Sequence, residues 1–170
     1  MLSLPCPRTF DSGINSADQE ADRLEKLGPA LDAAGYDFSY AAGPRKKHGC
    51  VIAYKRTLYE KASERTVFYD DIIVRPDGAS EQAQRGASFR TRNIGLLIAL
   101  KRLGSHRDDD SAAVVVATTH LFWHPKYTYE RSRQAFILTR AVCEFRNETG
   151  FRNAPAFIAG GMFVPDESKS

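Results

Sequence analysis

Residues 112–127 read Ala112-Ala113-Val114-Val115-Val116-Ala117-Thr118-Thr119-His120-Leu121-Phe122-Trp123-His124-Pro125-Lys126-Tyr127. The opening six residues are an unbroken apolar run. That pattern predicts a strand covered on both faces, since a strand with one wet face would alternate in polarity. The run ends in two threonines, a histidine and an aromatic–proline turn, so these groups are delivered to one edge of a sheet. In layered α/β folds such strand ends are a common place for ligands and chemistry.

Working outward, Tyr129–Glu148 reads as a long helix with Ala135, Leu138, Val142 and Phe145 on its inner stripe. Glu130, Arg131, Arg133, Arg140 and Arg146 are expected to face water. Pro155–Ala159 is a final strand running into Gly160-Gly161. Upstream, Ile94–Leu100 is a second apolar run, Thr66–Val74 a further strand, Cys50–Tyr54 a buried strand and Tyr36–Ala41 a short one. Asp22–Ala34 reads as a helix, with Leu24, Leu27, Leu31 and Ala34 on one stripe and Gly35 as its stop. Residues 75–86 and 104–111 look like polar loops. Residues 1–17 read as an irregular leader, 18–166 as the domain and 167–170 as a polar tail. The order of helix, strands, helix and strand, with antiparallel connections in the middle, suits an α/β sandwich of sheets flanked by helices.

At 170 residues, 42% hydrophobic and 26% charged, the chain suits one globular domain and not a disordered polymer. A net charge of +3 permits a nucleic-acid partner without arguing for one. Cys6, Cys50 and Cys143 lack metal-ligand or redox spacing, so they read as reduced thiols in an intracellular protein, in cytoplasm or nucleus. Cys50 and Cys143 are expected in the core. No apolar run spans a bilayer, so no membrane partner is expected, and Met1–Asn15 does not have the form of a secretory signal.

Four clusters could carry chemistry. Gln19-Glu20 with Asp22 precedes the first helix; a carboxylate there can hold a hard divalent cation, or simply complement the helix dipole. Arg45-Lys46-Lys47-His48 can neutralise phosphates, or be a solvated loop. In the opening stretch, His120 can donate to a phosphoryl oxygen and Trp123 or Tyr127 can stack on a base; the alternative is a core histidine with packing aromatics. Phe157-Ile158-Ala159-Gly160-Gly161 runs from an apolar strand into glycine, with Asp166 the only acid of the segment.

Taken in chain order, these clusters resemble the endonuclease/exonuclease/phosphatase superfamily, the fold of DNase I and exonuclease III. Within it they resemble the deadenylase and nocturnin-like RNA exonucleases of the fungal type. Gln19-Glu20-Ala21-Asp22 is similar to the family's Gln-Glu-Val-Asp segment, and Lys46-Lys47-His48-Gly49-Cys50 to its basic loop and Gly-Cys strand. Thr91-Arg92-Asn93-Ile94-Gly95 is similar to its Thr-x-Asn strand entry. Thr119–Tyr127 is the most specific match, with Arg131 and Gln134 fitting the following helix, and Phe157–Gly160 resembles the approach to a Gly-Asp-Phe-Asn motif.

The resemblance implies a partial four-layer α/β sandwich, with two packed, mostly antiparallel sheets between helices and with C-terminal strands missing. It implies magnesium, with manganese as a substitute, and an RNA substrate cut from its 3′ end, of poly(A) or ribosomal type. Glu20 would hold the metal, His120 would hydrogen-bond the phosphate and Asn93 would order that site. Lys46 and Lys47 would steer the RNA backbone, while Trp123 and Pro125 would border a base pocket. The departures are specific. Gly161 stands where the family has Asp, Phe163 where it has Asn, and a later Ser-Asp-His motif has no counterpart. Residues 9–18 do not read as the apolar strand that precedes the metal-binding Glu. The resemblance therefore implies an impaired enzyme or, alternatively, a non-catalytic RNA-binding or regulatory module built on the same fold.

Overall fold

The computed structural model describes the backbone of residues 14–87, 89–105 and 112–161, and side chains within these from Leu24 onward. Cys6, the Arg107–Asp110 turn, the segment from Met162 to Asp166 and the tail lie outside the described residues.

The first sheet is built on its middle strand. Strand β1 (Ile14–Glu20) leads directly into helix α1 (Ala21–Ala33), followed by β2 (Tyr36–Ala42) and β3 (His48–Lys55). β3 is central and antiparallel to both neighbours, and Gly49 to Tyr54 are all buried. The expectation of an irregular stretch before Glu20 is corrected here: Ile14–Glu20 is a strand. Its sequence, INSADQE, is nearly free of apolar residues. An edge strand needs only a partner for its backbone groups, and the edge of β3 not taken by β2 supplies one. Helix α1 ends where expected. Gly35 adopts φ +80°, a left-handed conformation that costs glycine nothing, and its N–H reaches the Asp32 carbonyl at 2.9 Å.

The second sheet has the order β4-β5-β6-β7. Here β4 is Tyr59–Phe68, β5 is Ile94–Arg102, β6 is Ala113–His120 and β7 is Ala156–Gly161. β4, β5 and β6 are antiparallel in turn, while β7 lies parallel to β6 after a crossover through α3 (Thr128–Glu148). The strand expected at Thr66–Val74 is displaced to Tyr59–Phe68. The chain leaves the sheet at a short 3-10 turn, Tyr69–Asp71. There the Asp70 carboxylate accepts the backbone N–H groups of Thr91 (3.1 Å) and Arg92 (2.7 Å), so this acid bonds across to another segment instead of continuing a ladder. The loop expected at 75–86 contains a short helix, α2 (Glu81–Arg85), capped by Ser80, whose hydroxyl accepts from the Ala83 N–H, and closed by Gly86.

Period-two alternation distributes β5 between two cores. Leu96, Ile98 and Leu100 pack with Cys50, Ile52 and Tyr54 of β3 and Val114 and Val116 of β6, which glues sheet to sheet. Leu97 and Ala99 face the other way, with Val115, Ala117 and the α3 residues Ile137, Leu138, Ala141, Val142 and Phe145. On the far side α1 lies over the first sheet, where the Phe38 ring approaches Gly28. The layers are therefore helix, sheet, sheet, helix, as expected. Among the described residues no helix is long and apolar enough to cross a membrane.

Two further expectations are corrected. Cys143 is exposed, because it falls between the buried stripe positions of α3, whereas Cys50 is buried as expected. Glu130 and Arg133, expected to be wet, are 3% and 5% exposed; they are buried as a pair, with Arg133 Nη1 donating to Glu130 Oε1 at 3.1 Å.

Candidate active site

Four strand ends meet at one edge of the sandwich, those of β1, β3, β6 and β7. The register of β1 and β3 sets Glu20 opposite His48. The His48 ring meets the His120 ring edge-on, centroids 5.5 Å apart. The parallel register of β6 and β7 sets His120 beside Gly161. A small cleft at this edge is lined by Lys46, His48, Gly49, Arg92, Asn93 and His120, among others. Thus Lys46, Asn93 and His120 are brought together, and the Glu20 backbone lies one strand pairing from His48. The basic loop can sit this close because residue 43 is glycine: a Cβ there would come within 1.8 Å of the Arg92 carbonyl oxygen.

Behind the cleft runs a buried hydrogen-bond network. Gln134 on α3 is fully buried, and its Oε1 accepts from Asn93 Nδ2 at 3.4 Å and from the Phe122 N–H at 3.0 Å. Its Nε2 donates to Thr91 Oγ1 at 3.1 Å and to Glu130 Oε1 at 2.9 Å. Arg133 extends the network by donating to the carbonyls of Arg85 (2.7 Å) and Tyr69 (2.8 Å). Tyr69 donates to Thr119 Oγ1 at 2.7 Å, and Thr119 donates to the Ile94 carbonyl at 2.9 Å. Burial pushes the Tyr69 phenol well above its ordinary pKa, against a smaller lowering from the Thr119 bond, so Tyr69 stays a neutral donor. The network fixes the two segments that carry Asn93 and the turn after His120.

Trp123 and Pro125 stand on that turn, outside the lining of the cleft. Trp123 is 57% exposed and stacks on His124 with centroids 5.1 Å apart; Phe122, Tyr127 and Phe89 complete the aromatic group. Arg131 holds the turn by donating to the carbonyls of His124 (2.5 Å) and Pro125 (3.1 Å). Lys47 is exposed and does not line the cleft, unlike Lys46. Sequence reasoning counted His48 only as a loop cation and overlooked Arg92 as a lining residue. The signal for Arg92 was its place one residue before Asn93, at the mouth of a buried strand.

No family model matches the chain. Among curated proteins, it is 36% identical over 130 residues to a probable RNA exonuclease of Schizosaccharomyces pombe, a match covering 76% of this chain and 23% of that protein. It is 33% identical over 120 residues to the RNA exonuclease NGL2 of Saccharomyces cerevisiae, covering 65% of this chain and 21% of the relative. The chain thus spans about a quarter or less of these relatives' length. Among solved structures, it superposes on ANGEL2, a 2′,3′-cyclic phosphatase, with a TM-score of 0.66 at 22% identity, covering 89% of this chain and 40% of that one. The human Nocturnin catalytic domain gives a TM-score of 0.65 at 14% identity, covering 93% of this chain and 54% of that one.

The chain is similar to RNA exonucleases over 76% and 65% of its length and has the fold of the ANGEL2 and Nocturnin structures. Its curated relatives are named RNA exonucleases, and its two-sheet sandwich is that of the superfamily.

The superfamily implies a divalent metal, and the donors at this edge bear on the fit. Among the described residues, no three His, Cys, Asp or Glu side chains are grouped to hold an ion. The nearby carboxylates of Asp70 and Glu130 are already engaged by Thr91, Arg92, Arg133 and Gln134. The Asn93 amide lines the cleft beside the His48 and His120 rings, and the Glu20 backbone ends β1 at the same edge. Magnesium often takes one or two protein oxygens and completes its octahedron with water and substrate phosphate, so this sparse set fits it. Position 161, which lies beside His120, is glycine.

Proposed function

We propose that this chain forms the phosphate-binding edge of a magnesium-dependent phosphodiesterase acting on the 3′ end of RNA, working slowly for want of a carboxylate at position 161. The observation that carries the reading is the meeting of His48 and His120 ring to ring, with Lys46 and Asn93 lining the same cleft and Glu20 paired to His48. The names of the curated relatives support RNA as the substrate.

In this reading His120 donates a hydrogen bond to a non-bridging phosphoryl oxygen, where negative charge builds as the nucleophile attacks. Lys46 supplies the counter-charge for the same group. Asn93, fixed by Gln134, keeps its amide aimed at the site without reorganising during the reaction. Glu20, with Asn93, would hold the metal, which when bound polarises the phosphoryl oxygen and acidifies water. Gly161 offers nothing to orient the attacking water, and groups of such sites act as a unit, so a large rate loss relative to a complete site follows.

The test is hydrolysis of labelled oligo(A) by the purified chain with magnesium or with chelator. Slow release of AMP, abolished by chelator and by Glu20→Ala, is the expected result. His120→Ala is expected to cost about 100-fold or more. Hydrolysis indifferent to both substitutions would overturn the reading. One observation favours a second reading, a non-catalytic RNA-binding module: the glycine beside His120. That reading predicts salt-dependent RNA affinity, unchanged by chelator, with no turnover.

A further inference from the structure

We propose that the hollow beside the cleft, walled by Pro44, Arg45, Phe68, Arg90 and Arg92, seats a second phosphate of a single-stranded RNA, with the adjoining base against Phe68. The inference rests on the RNA reading above and extends it beyond the scissile phosphate.

The hollow has a volume of about 300 Å³ and shares Arg92 and Asn93 with the His120 cleft, so the two are contiguous. Three guanidinium groups reach it, all on exposed residues, and none forms an ion pair among the described residues. Two acids also line it. The Asp70 carboxylate, only 8% exposed, is taken up by the Thr91 N–H, the Thr91 hydroxyl and the Arg92 N–H. That leaves exposed Asp71 against three arginines. Planar guanidinium forks match the geometry of phosphate oxygens and can bind them bidentately.

Backbone strain points the same way. Arg45 and Arg92 have φ of 59° and 58°, the left-handed region that glycine occupies freely and arginine does not. Such residues persist where the surroundings hold them and tend to cluster at binding sites. Arg92 is held on both sides, its N–H by Asp70 and its carbonyl by the close approach of Gly43. Phe68, the last residue of β4, is 40% exposed on the wall of the same hollow, and an exposed ring beside a phosphate seat is a stacking platform that accepts any base. Ring and arginines together favour a nucleic acid strand over an acidic protein segment.

The test uses the full chain, fluorescent oligo(A) and chelator to prevent turnover, with anisotropy read across a salt series. Arg45→Asn suits a left-handed backbone and removes the charge; it is combined with Arg90→Gln on an exposed site. The pair is expected to lower the slope of log affinity against log salt by about 1.4, near 0.7 for each lost contact on a single strand. Phe68→Leu is expected to weaken oligo(A) binding about tenfold with the slope unchanged. Competition by AMP, whose single phosphate is expected to take the His120 cleft, is expected to be the same in wild type and in the arginine pair. Lys46→Gln and His120→Gln report separately on the cleft and are expected to weaken oligo(A) and AMP alike. If the arginine pair leaves oligo(A) affinity and slope unchanged while Lys46→Gln weakens binding, the second seat is refuted and the RNA reading stands. If the arginine pair alone weakens oligo(A), the seat stands and the cleft reading fails. Equal losses for AMP and oligo(A) in the arginine pair, or displacement of oligo(A) by poly-glutamate from wild type but not from that pair, would also refute the second seat.

Discussion

Gln134 and Asn93 are 41 residues apart in the chain and meet through a buried amide–amide hydrogen bond of 3.4 Å. By this bond a helix on the back of the second sheet sets the orientation of a side chain in the cleft on its edge.

Replacing Gln134 by Leu keeps the volume and removes the polar head. Thr91, Asn93 and the Phe122 N–H then each lose a partner in a dry environment. Each orphaned group costs about 1–3 kcal/mol, so a loss of about 3 kcal/mol or more is expected in urea denaturation. The role in positioning is separable from the role in folding: Gln134→Glu keeps the acceptor for Asn93 and Phe122 but sets a second carboxylate against Glu130, so it is combined with Glu130→Gln, and that double variant is expected to retain oligo(A) binding better than Gln134→Leu.

Arg133→Met leaves Glu130 as a buried charge without its cation and frees the Tyr69 and Arg85 carbonyls. Breaking one member of a buried pair costs about 3–5 kcal/mol. The double change Glu130→Gln with Arg133→Met is expected to recover part of that loss. Chemical denaturation of Arg133→Met, of Glu130→Gln alone and of the double variant, each beside wild type, forms the cycle; a double variant no more stable than Arg133→Met would contradict the buried-charge account.

Tyr69 gives a pH signature. Its folded pKa is raised above the unfolded value near 10, so the unfolded chain releases the phenolic proton first. The stability this group contributes is complete below pH 10 and falls as pH rises above it, because ionisation then favours the unfolded state. Tyr69→Phe is expected to flatten the decline of the melting temperature in alkali. A remnant is expected from Tyr54, whose phenol burial also raises. At neutral pH the same substitution costs about 1 kcal/mol through loss of the bond to Thr119. An alkaline decline as steep in the variant as in wild type would rule out this assignment.

Gly161→Asp places a carboxylate at the position paired with His120. With a second acidic ligand the site comes closer to the usual magnesium arrangement. The substitution is expected to raise chelator-sensitive release of AMP about tenfold or more, on the logic that a missing member of a catalytic unit dominates the rate. No gain in rate, and no gain in metal affinity by calorimetry, would mean that position 161 is not the limiting defect.

How much of this was legible in the sequence depends on where the stabilising partner lies. The strands around Ile94–Leu100 and Ala112–Thr119 were readable from unbroken apolar runs, and the helix α3 from apolar residues that repeat with the helical period. β1 was not, because INSADQE holds its place through the backbone of β3 and not through its own side chains. The shift of β4 had the same origin, since the bonds that end it come from Thr91, Arg92 and Arg133. Glu130, Arg133 and Gln134 share a face with apolar neighbours, yet polarity marked two of them as solvent-facing; only tertiary structure reveals that they satisfy one another. At the site, His120 and Lys46 could be picked out by type and position, and Asn93 only through the resemblance. The contact of His48 with His120 could not, because it depends on how two sheets stack.

The parallel run of β6 and β7 has a consequence for what the chain can tolerate. Two strands heading the same way finish at the same rim whatever the length of the excursion between them, so added residues in the exposed turn after Glu148 leave Gly161 alongside His120. Removing a single residue inside Ala156–Gly161 is a different matter. It inverts which side of the ribbon each remaining residue presents and moves position 161 off its neighbour, so this short segment is far less forgiving than the long helix that precedes it.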